Sequence, residues 1–398
     1  MHLAIDVFPA REPVLARLTR LLDSGRLGQP LLFSGPAGTG RETTALEFAR
    51  RLNCVAPDTC APGHRCESCV KTFSFQHPDI RWIGPAPATV TEDEVAALFA
   101  AKQENPFHSS PWAATSNVAI GDPEHPGPLT VRSLIRFLRR RAFQSPWKVA
   151  IVADSQRMNV SAANAFLKTL EEPSPRSLII LLTAGTEGML PTIVSRCLKI
   201  PFEPWPAEEL ATLLCRWGAA EPAAAAAAAR AAGGNVRRAM ALLEPGAQIV
   251  AGWAVDLFTG LQQGDRATAA LAADDLHRGV VPPGRVPADV TPKSLEAKEP
   301  AARRQRAIQL CEMLNILYSD TVFRRERGDG WSSRLADADP AVASAAARRS
   351  TPSLLEDMAR IDDARRDIDR NLNIGLVMAV LGEDLIDHGR RDAPGQPA

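Results

Sequence analysis

The stretch Gly35-Pro-Ala-Gly-Thr-Gly40-Arg41-Glu42-Thr43 constrains this 398-residue chain more than any other. It follows a short apolar run at 30–34 and precedes a helical pattern from Arg41 to Leu52, so it lies where a strand turns into a helix. Gly35, Gly38 and Gly40 allow backbone N–H groups to line a concave turn, and the unpaired N–H groups of the first helical turn complete an anion cradle. That opening predicts an α/β unit. An amphipathic helix over Pro13–Leu22 precedes it, and further strands are read at Trp147–Asp154 and Ser177–Gly185. Both are near-continuous apolar runs, as expected of a parallel sheet covered on both faces. Helical patterns at 131–143 and 161–172 lie between or beside them.

The chemistry around the cradle is incomplete. A loop that handles nucleoside triphosphates needs Lys as a compact charge on the outer phosphates and then Ser or Thr as a Mg²⁺ ligand, but these positions hold Arg41 and Glu42. Thr43 does not replace the missing hydroxyl, because one step along a helix rotates a side chain by about 100°. At the end of the next apolar run Asp154 suits a metal-organising carboxylate, but Ser155 follows where a Glu is needed to activate water. Two defective halves of one site point to a retired catalytic centre and weaken the case for bound ATP or ADP.

Four of the seven cysteines fall at Cys54, Cys60, Cys66 and Cys69. Four thiolates in one short loop suit a tetrahedral Zn²⁺ with no open position, a structural ion. Cys197, Cys215 and Cys311 are expected as buried thiols. A formal net charge of zero argues against a broad basic surface for unaided DNA binding. The start of the chain reads as neither a secretory leader nor a span, so a cytoplasmic protein with no membrane partner is expected. Arg132, Arg136, Arg139 and Arg140 gather on one helix face, which a solvated surface explains more simply than a DNA-facing stripe. Residues from about 85 to 128 are Pro-rich and aperiodic, and read as a surface insertion without an assigned fold. Beyond residue 206 strand signals stop and Ala-, Leu- and Arg-rich helices follow. Pro222 marks a helix start and Gly233-Gly234 its end, a loop breaks this half at 279–302, and the last residues read as a frayed tail.

The glycine loop, the Arg-Arg-Leu-Asn-Cys helix end, the four cysteines, His77-Pro78-Asp79, the run from Asn164 to Pro173 and Pro191–Cys197 together resemble the AAA+ subunits of bacterial replicative clamp loaders over about the first 245 residues. The resemblance implies an α/β AAA+ domain at 1–204, with a RecA-like parallel sheet, the zinc module at 54–69 and the insertion at about 85–128. A helical lid at 205–245 and an all-α collar at 246–398 follow. Arg196, between Ser195 and Cys197, is then an arginine finger acting on a neighbour's ATP, with Thr183 and Arg237 at the two sensor positions. The vestigial nucleotide site comprises Gly35, Gly38, Gly40, Arg41, Thr43, Asp154, Thr183 and Arg237. A retained finger beside a defective loop fits a delta-prime type of subunit, a non-motor wall of the assembly. Its implied partners are gamma/tau-type motors, a delta-type subunit, the sliding clamp and primed DNA. The alternatives are an active gamma/tau-type motor and a free-standing AAA+ P-loop enzyme.

Overall fold

The computed structural model describes residues 11–25, 28–61, 63–108, 110–113, 115–244, 246–282, 296–297, 299–328, 333–335 and 337–392. Most of the loop expected at 279–302, and the end of the tail, lie outside them. The chain divides into two compact units, Met1–Pro222 with Gly233–Arg238, and Ala223–Ala232 with Ala239–Ala398. Among the described residues no helix is long and apolar enough to cross a membrane.

The first unit runs α1 (Glu12–Asp23), β1 (Leu31–Ser34), α2 (Arg41–Asn53), α3 (Glu67–Phe73), β2 (Ile80–Ile83), α4 (Glu92–Glu104), α5 (Val131–Arg139), β3 (Lys148–Val152), α6 (Val160–Glu171), β4 (Ser177–Thr183), α7 (Pro191–Val194), β5 (Leu198–Pro201) and α8 (Ala207–Arg216). The five described strands form one parallel sheet in the order β2-β3-β4-β1-β5. Leu31 stands opposite Ile180 on one side and Leu198 on the other, which puts β1 inside the sheet and its following loop at the carboxyl edge. This is where open α/β sheets place their ligands.

The apolar runs divide by the two-residue period of a strand. Leu31, Phe33, Val149, Ile151, Leu178, Ile180 and Leu182 enter one core with α1, α2 and α4. Leu32, Ala150, Val152, Ile179 and Leu181 enter the other with α5 and α6. Each Leu, Ile, Val or Phe among them, taken fully out of water, contributes about 1.5–3 kcal/mol, so neither face can be left bare. β2 and β5 were not expected from the sequence: each has only four residues, and neither leads into the glycine-rich loop that marks the equally short β1.

Part of the region read as a surface insertion, α4 with Ala86 and Val90 before it, is built into this core. Thr91 and Glu94 form a reciprocal capping box that starts α4, and Val95 and Leu98 are buried against the sheet. Phe99 stacks on Phe75 with ring centroids 4.6 Å apart and meets Trp82 edge-on at 5.8 Å.

The second unit takes Ala223–Ala232 of α9 (Pro222–Ala232), the part of α10 (Val236–Leu243) from Ala239 on, and α11 (Ala247–Gln263), α12 (Arg266–Arg278), α13 (Pro300–Arg327), α14 (Asp339–Arg348), α15 (Thr351–Asp369) and α16 (Ile374–Arg391). Pro222 opens α9 and a left-handed Gly233 follows its end, as the sequence implies. The long helices share one core, with Tyr318 fully buried, edge-on to Phe258 at 5.2 Å and accepting a hydrogen bond from Gln262 at 3.2 Å. Buried charges are paired: Arg349 meets Asp357 at 2.6 Å and Asp392 at 3.2 Å, while Arg334 meets Asp320 at 2.6 Å. Cys311 is buried as expected, as is Cys197 in the first unit, but Cys215 is only half-buried.

Candidate nucleotide site and cysteine centre

The loop after β1 keeps the shape of an anion cradle. Gly38 is left-handed at φ 73°, and a Cβ there would run into the Asn235 side chain. Asn235 belongs to the short return Gly233–Arg238, which docks on the loop through Val236 N–H donating to the Gly38 carbonyl at 3.0 Å. That contact brings Arg237 to the wall of a cavity of about 170 Å³, also lined by Gly38, Gly40, Arg41, Glu42, Thr43, Lys102, His108 and Asp154. Pockets for ligands of drug size run to about 300–1,000 Å³, so this one is filled well below that range.

Its own side chains fill it. Lys102, on α4 and almost completely buried, meets Glu42 at 2.7 Å and donates to the His108 carbonyl at 3.1 Å. Its ammonium lies 5.1 Å from the centre of the Trp82 ring. The position that should offer a hydroxyl to Mg²⁺ is therefore a carboxylate already neutralised by an internal cation. Burial lowers the Arg41 pKa and nearby Arg237 adds to this, while Asp154 and Glu42 oppose it. Among the described residues nothing accepts a hydrogen bond from the shielded Arg41 Nη1. Thr43 is buried and donates to the Gly40 carbonyl at 3.0 Å, a helix-start contact that does not replace the missing ligand.

Asp154 reaches the same cavity from the end of β3 in a left-handed conformation, φ 46° and ψ 48°. Ser155 turns away: its hydroxyl donates to the Leu182 carbonyl at 3.0 Å and is buried in the sheet. The Thr183 hydroxyl is engaged with the Gly185 turn, and the Thr183 carbonyl accepts from Gly35 N–H at 3.2 Å. Loop, Asp154 and Arg237 are thus brought together, with Thr183 behind them. Arg196 is not part of this cavity. It is about one-third exposed, pairs with Glu171 at 2.5 Å and donates to the Thr192 carbonyl at 2.8 Å.

Cys54, Cys60, Cys66 and Cys69 converge, with all four Sγ atoms within 4.8 Å of one another. Cys54 and Cys66 are 3.8 Å apart, Cys60 and Cys69 3.5 Å. A tetrahedral ion with metal–sulfur bonds of about 2.3 Å requires sulfurs about 3.8 Å apart, so the donor set fits a metal ion. Arg50 Nη1 lies 3.2 Å from Cys69 Sγ while its other nitrogens grip Glu47, an outer contact that favours the thiolate. His64 is exposed.

His77-Pro78-Asp79 ties the cysteine module to the sheet. Buried His77 accepts Asp79 N–H on Nδ1 at 3.0 Å, and its Nε2 reaches the hydroxyls of Ser68 at 3.0 Å and Ser145 at 3.2 Å. Burial holds the imidazole below its ordinary pKa, against the pull of Asp79. Of the arginine stripe on α5, Arg132 and Arg136 donate to the carbonyls of Gly121, Pro123 and Glu124, so half of it holds a loop in place.

With this geometry established, comparison with known proteins is specific. The sequence profile of the family described as "DNA polymerase III, delta subunit" matches residues 10–120 and 127–206. Over just under half of its length the chain is similar to clamp-loader subunits of DNA polymerase III. Gamma/tau of Mycobacterium tuberculosis is 32% identical over 52% of this chain and 30% of its own length. Delta' of Bacillus subtilis is 26% identical over 48% of this chain and 47% of that protein, and delta' of Pseudomonas aeruginosa 28% identical over 49% and 48%. The chain thus spans about half the length of the delta' relatives and less of the gamma/tau relatives. A solved gamma subunit-related protein of Thermotoga maritima superposes with a TM-score of 0.39 at 18% identity, over 94% of this chain and 99% of that one. The structure is a five-stranded parallel α/β sheet with a glycine loop after β1, and the sequence similarity lies with clamp-loader subunits.

Lys102 is the residue that sequence reasoning missed. Its signal was the Thr91–Glu94 capping box, which announces a helix inside the supposed insertion. Substitution of Lys102 by Met should lower the stability of the chain by about 2–3 kcal/mol, near the low end for a broken buried pair because Glu42 keeps some solvent. Adding Glu42→Gln should recover most of that loss. Urea denaturation of the two single variants and the double variant measures it; a Lys102→Met midpoint equal to wild type would mean that the pair does not hold α4 to the loop.

Proposed function

We propose that the chain is a non-motor, delta-prime-like subunit of a bacterial replicative clamp loader, which helps to open the sliding clamp and load it on primed DNA. One observation carries this reading: the two loop positions that must hold the outer phosphates and Mg²⁺ are Arg41 and Glu42, with Glu42 consumed by Lys102. Ser155 supports it, since a hydroxyl in place of Glu lacks the basicity to activate water and here donates to the Leu182 carbonyl. The domain reading that goes with it is an AAA+ domain to residue 204, a lid at 205–245 and a collar at 246–398.

In this reading Arg196 acts in trans. Parked on Glu171 in the isolated chain, its guanidinium swings to the γ-phosphate held by an adjacent gamma/tau-type motor and stabilises the charge that develops during hydrolysis. Such fingers raise turnover by about 10³–10⁵ at the site they serve. The other proposed neighbours are a delta-type subunit, the clamp and DNA reached within the assembly. The similarity to gamma/tau proteins favours a second reading, an active motor, and the same residues Arg41, Glu42 and Ser155 weigh against it.

Zinc is the metal proposed for Cys54, Cys60, Cys66 and Cys69. With four sulfurs as ligands it has no open position for a substrate, and its part is to fold the 54–69 loop. Atomic emission should find one zinc per chain, lost in Cys60→Ser together with several degrees of thermal midpoint. A metal-free wild-type chain with the same midpoint would remove the assignment.

Arg196→Ala tests the proposed role. In a complex reconstituted with gamma/tau-type and delta-type subunits, the variant should assemble normally and lose the clamp- and DNA-stimulated ATPase of one motor site. Unchanged ATPase in a fully assembled complex would overturn the finger.

A further inference from the structure

Four thiolates around one divalent cation leave two negative charges in excess, and the surroundings of the four cysteines are uneven. Cys54, Cys60 and Cys66 keep some contact with solvent, whereas Cys69 is wholly buried. At Cys69 a guanidinium stands where water would otherwise screen the charge. Arg50 Nη1 lies 3.2 Å from the sulfur, and the arginine side chain is itself only 13% exposed. Such a charged donor is roughly twice as strong as a neutral one. Cys60, by comparison, accepts the backbone N–H of Cys66 at 3.4 Å, and Lys71, on the same helix as Cys69, is paired with Glu67 at 2.5 Å.

The guanidinium is held in place by a network along α2. Arg50 Nε and Nη2 bind the two oxygens of Glu47 at 2.7 Å each, one turn back on the helix. A bidentate grip of this kind fixes the guanidinium plane, which leaves Nη1 directed at the sulfur. Arg51 Nε also holds Glu47, at 2.9 Å, and Arg51 Nη2 reaches Glu12 of α1 at 2.7 Å. Glu47 is buried, so its charge is matched by these arginines. Two arginines on one buried carboxylate leave a positive charge in excess, and Arg50 carries it to the cysteines. A salt bridge that served only to finish α2 would be complete with Arg50 and Glu47; the third nitrogen on sulfur goes beyond it.

We propose that Arg50 sets the metal affinity of the cysteine centre, by donating to the Cys69 sulfur from a guanidinium that Glu47 and Arg51 hold in place. Arg50 is a positioning residue and binds no metal itself. Its donated hydrogen bond draws charge from a sulfur that solvent does not reach, and without it the buried thiolate is left without a cation beside it. The inference rests on the assignment of zinc to the four cysteines.

The test uses the full chain, stripped of metal under reducing conditions and reloaded with Zn²⁺ in competition with a chromogenic chelator. A parallel series is loaded with Co²⁺, whose sulfur-to-metal charge-transfer band reports the charge on the coordinating sulfurs. Wild type, Arg50→Met and the double variant Glu47→Gln with Arg50→Met are compared, each with a thermal melt of the loaded chain. Met fills the stem of the arginine without a donor, and the double variant leaves no buried carboxylate unpaired. The expected result is zinc binding weakened about 10–100-fold in both variants, with the Co²⁺ band moved to lower energy. If Arg50→Met does not fold, the double variant decides. Zinc affinity and Co²⁺ band equal to wild type in the double variant would overturn the role of Arg50 and leave the zinc assignment standing. A lower melting midpoint with an unmoved band would also overturn it, since Arg50 would then only brace the helix. A wild-type chain that takes up neither metal would overturn the zinc assignment and this inference with it.

Discussion

Glu42 and Lys102 meet 2.7 Å apart at the head of α2, and much of the first unit is arranged around that contact. A carboxylate at the start of a helix is welcome to the backbone dipole, but beside bound phosphates it would repel the ligand. Here a buried ammonium from α4 reaches it, with the His108 carbonyl and the Trp82 ring completing the ammonium's surroundings. Desolvating two charges is tolerable only because they satisfy each other. The pair therefore does two things. It fastens residues 92–108 against the sheet edge, and it lines the cavity beside the glycine loop with an ion pair already satisfied.

The second organising group is the buried pair His77 and Asp79. Through Ser68 it reaches the helix that carries Cys69, and through Ser145 and the backbone of 143–145 it sets the loop between α5 and β3. The three residues His-Pro-Asp thus link the cysteine module, strand β2 and the loop before β3. Their role is positional, although His and Asp are also residue types from which catalysis is built.

Much of this was legible in the residues because burial on both faces of a sheet leaves a plain mark. The apolar runs at 147–154 and 177–185 contain β3 and β4, and the glycine loop was found between β1 and α2. The convergence of four cysteines was legible from spacing, since so short a loop can bring them together. What escaped was whatever depends on contacts distant in sequence. β2 and β5 are defined by their neighbours more than by their own four residues. α4 was hidden among prolines, although its capping box was present, and the partnership of Lys102 with Glu42 spans 60 positions that no local pattern connects. Arg132 and Arg136 looked like surface charge because their acceptors are backbone carbonyls, which carry no sequence signature.

The central claim is that this chain keeps the nucleotide loop as architecture and not as an engine. The most direct measurement is ATP binding and hydrolysis by the purified chain, with and without Mg²⁺, at protein concentrations high enough to register weak binding. The account predicts no turnover and no Mg²⁺-dependent gain in affinity. Clear Mg²⁺-dependent turnover that Arg41→Ala abolishes would contradict it and make the chain a motor.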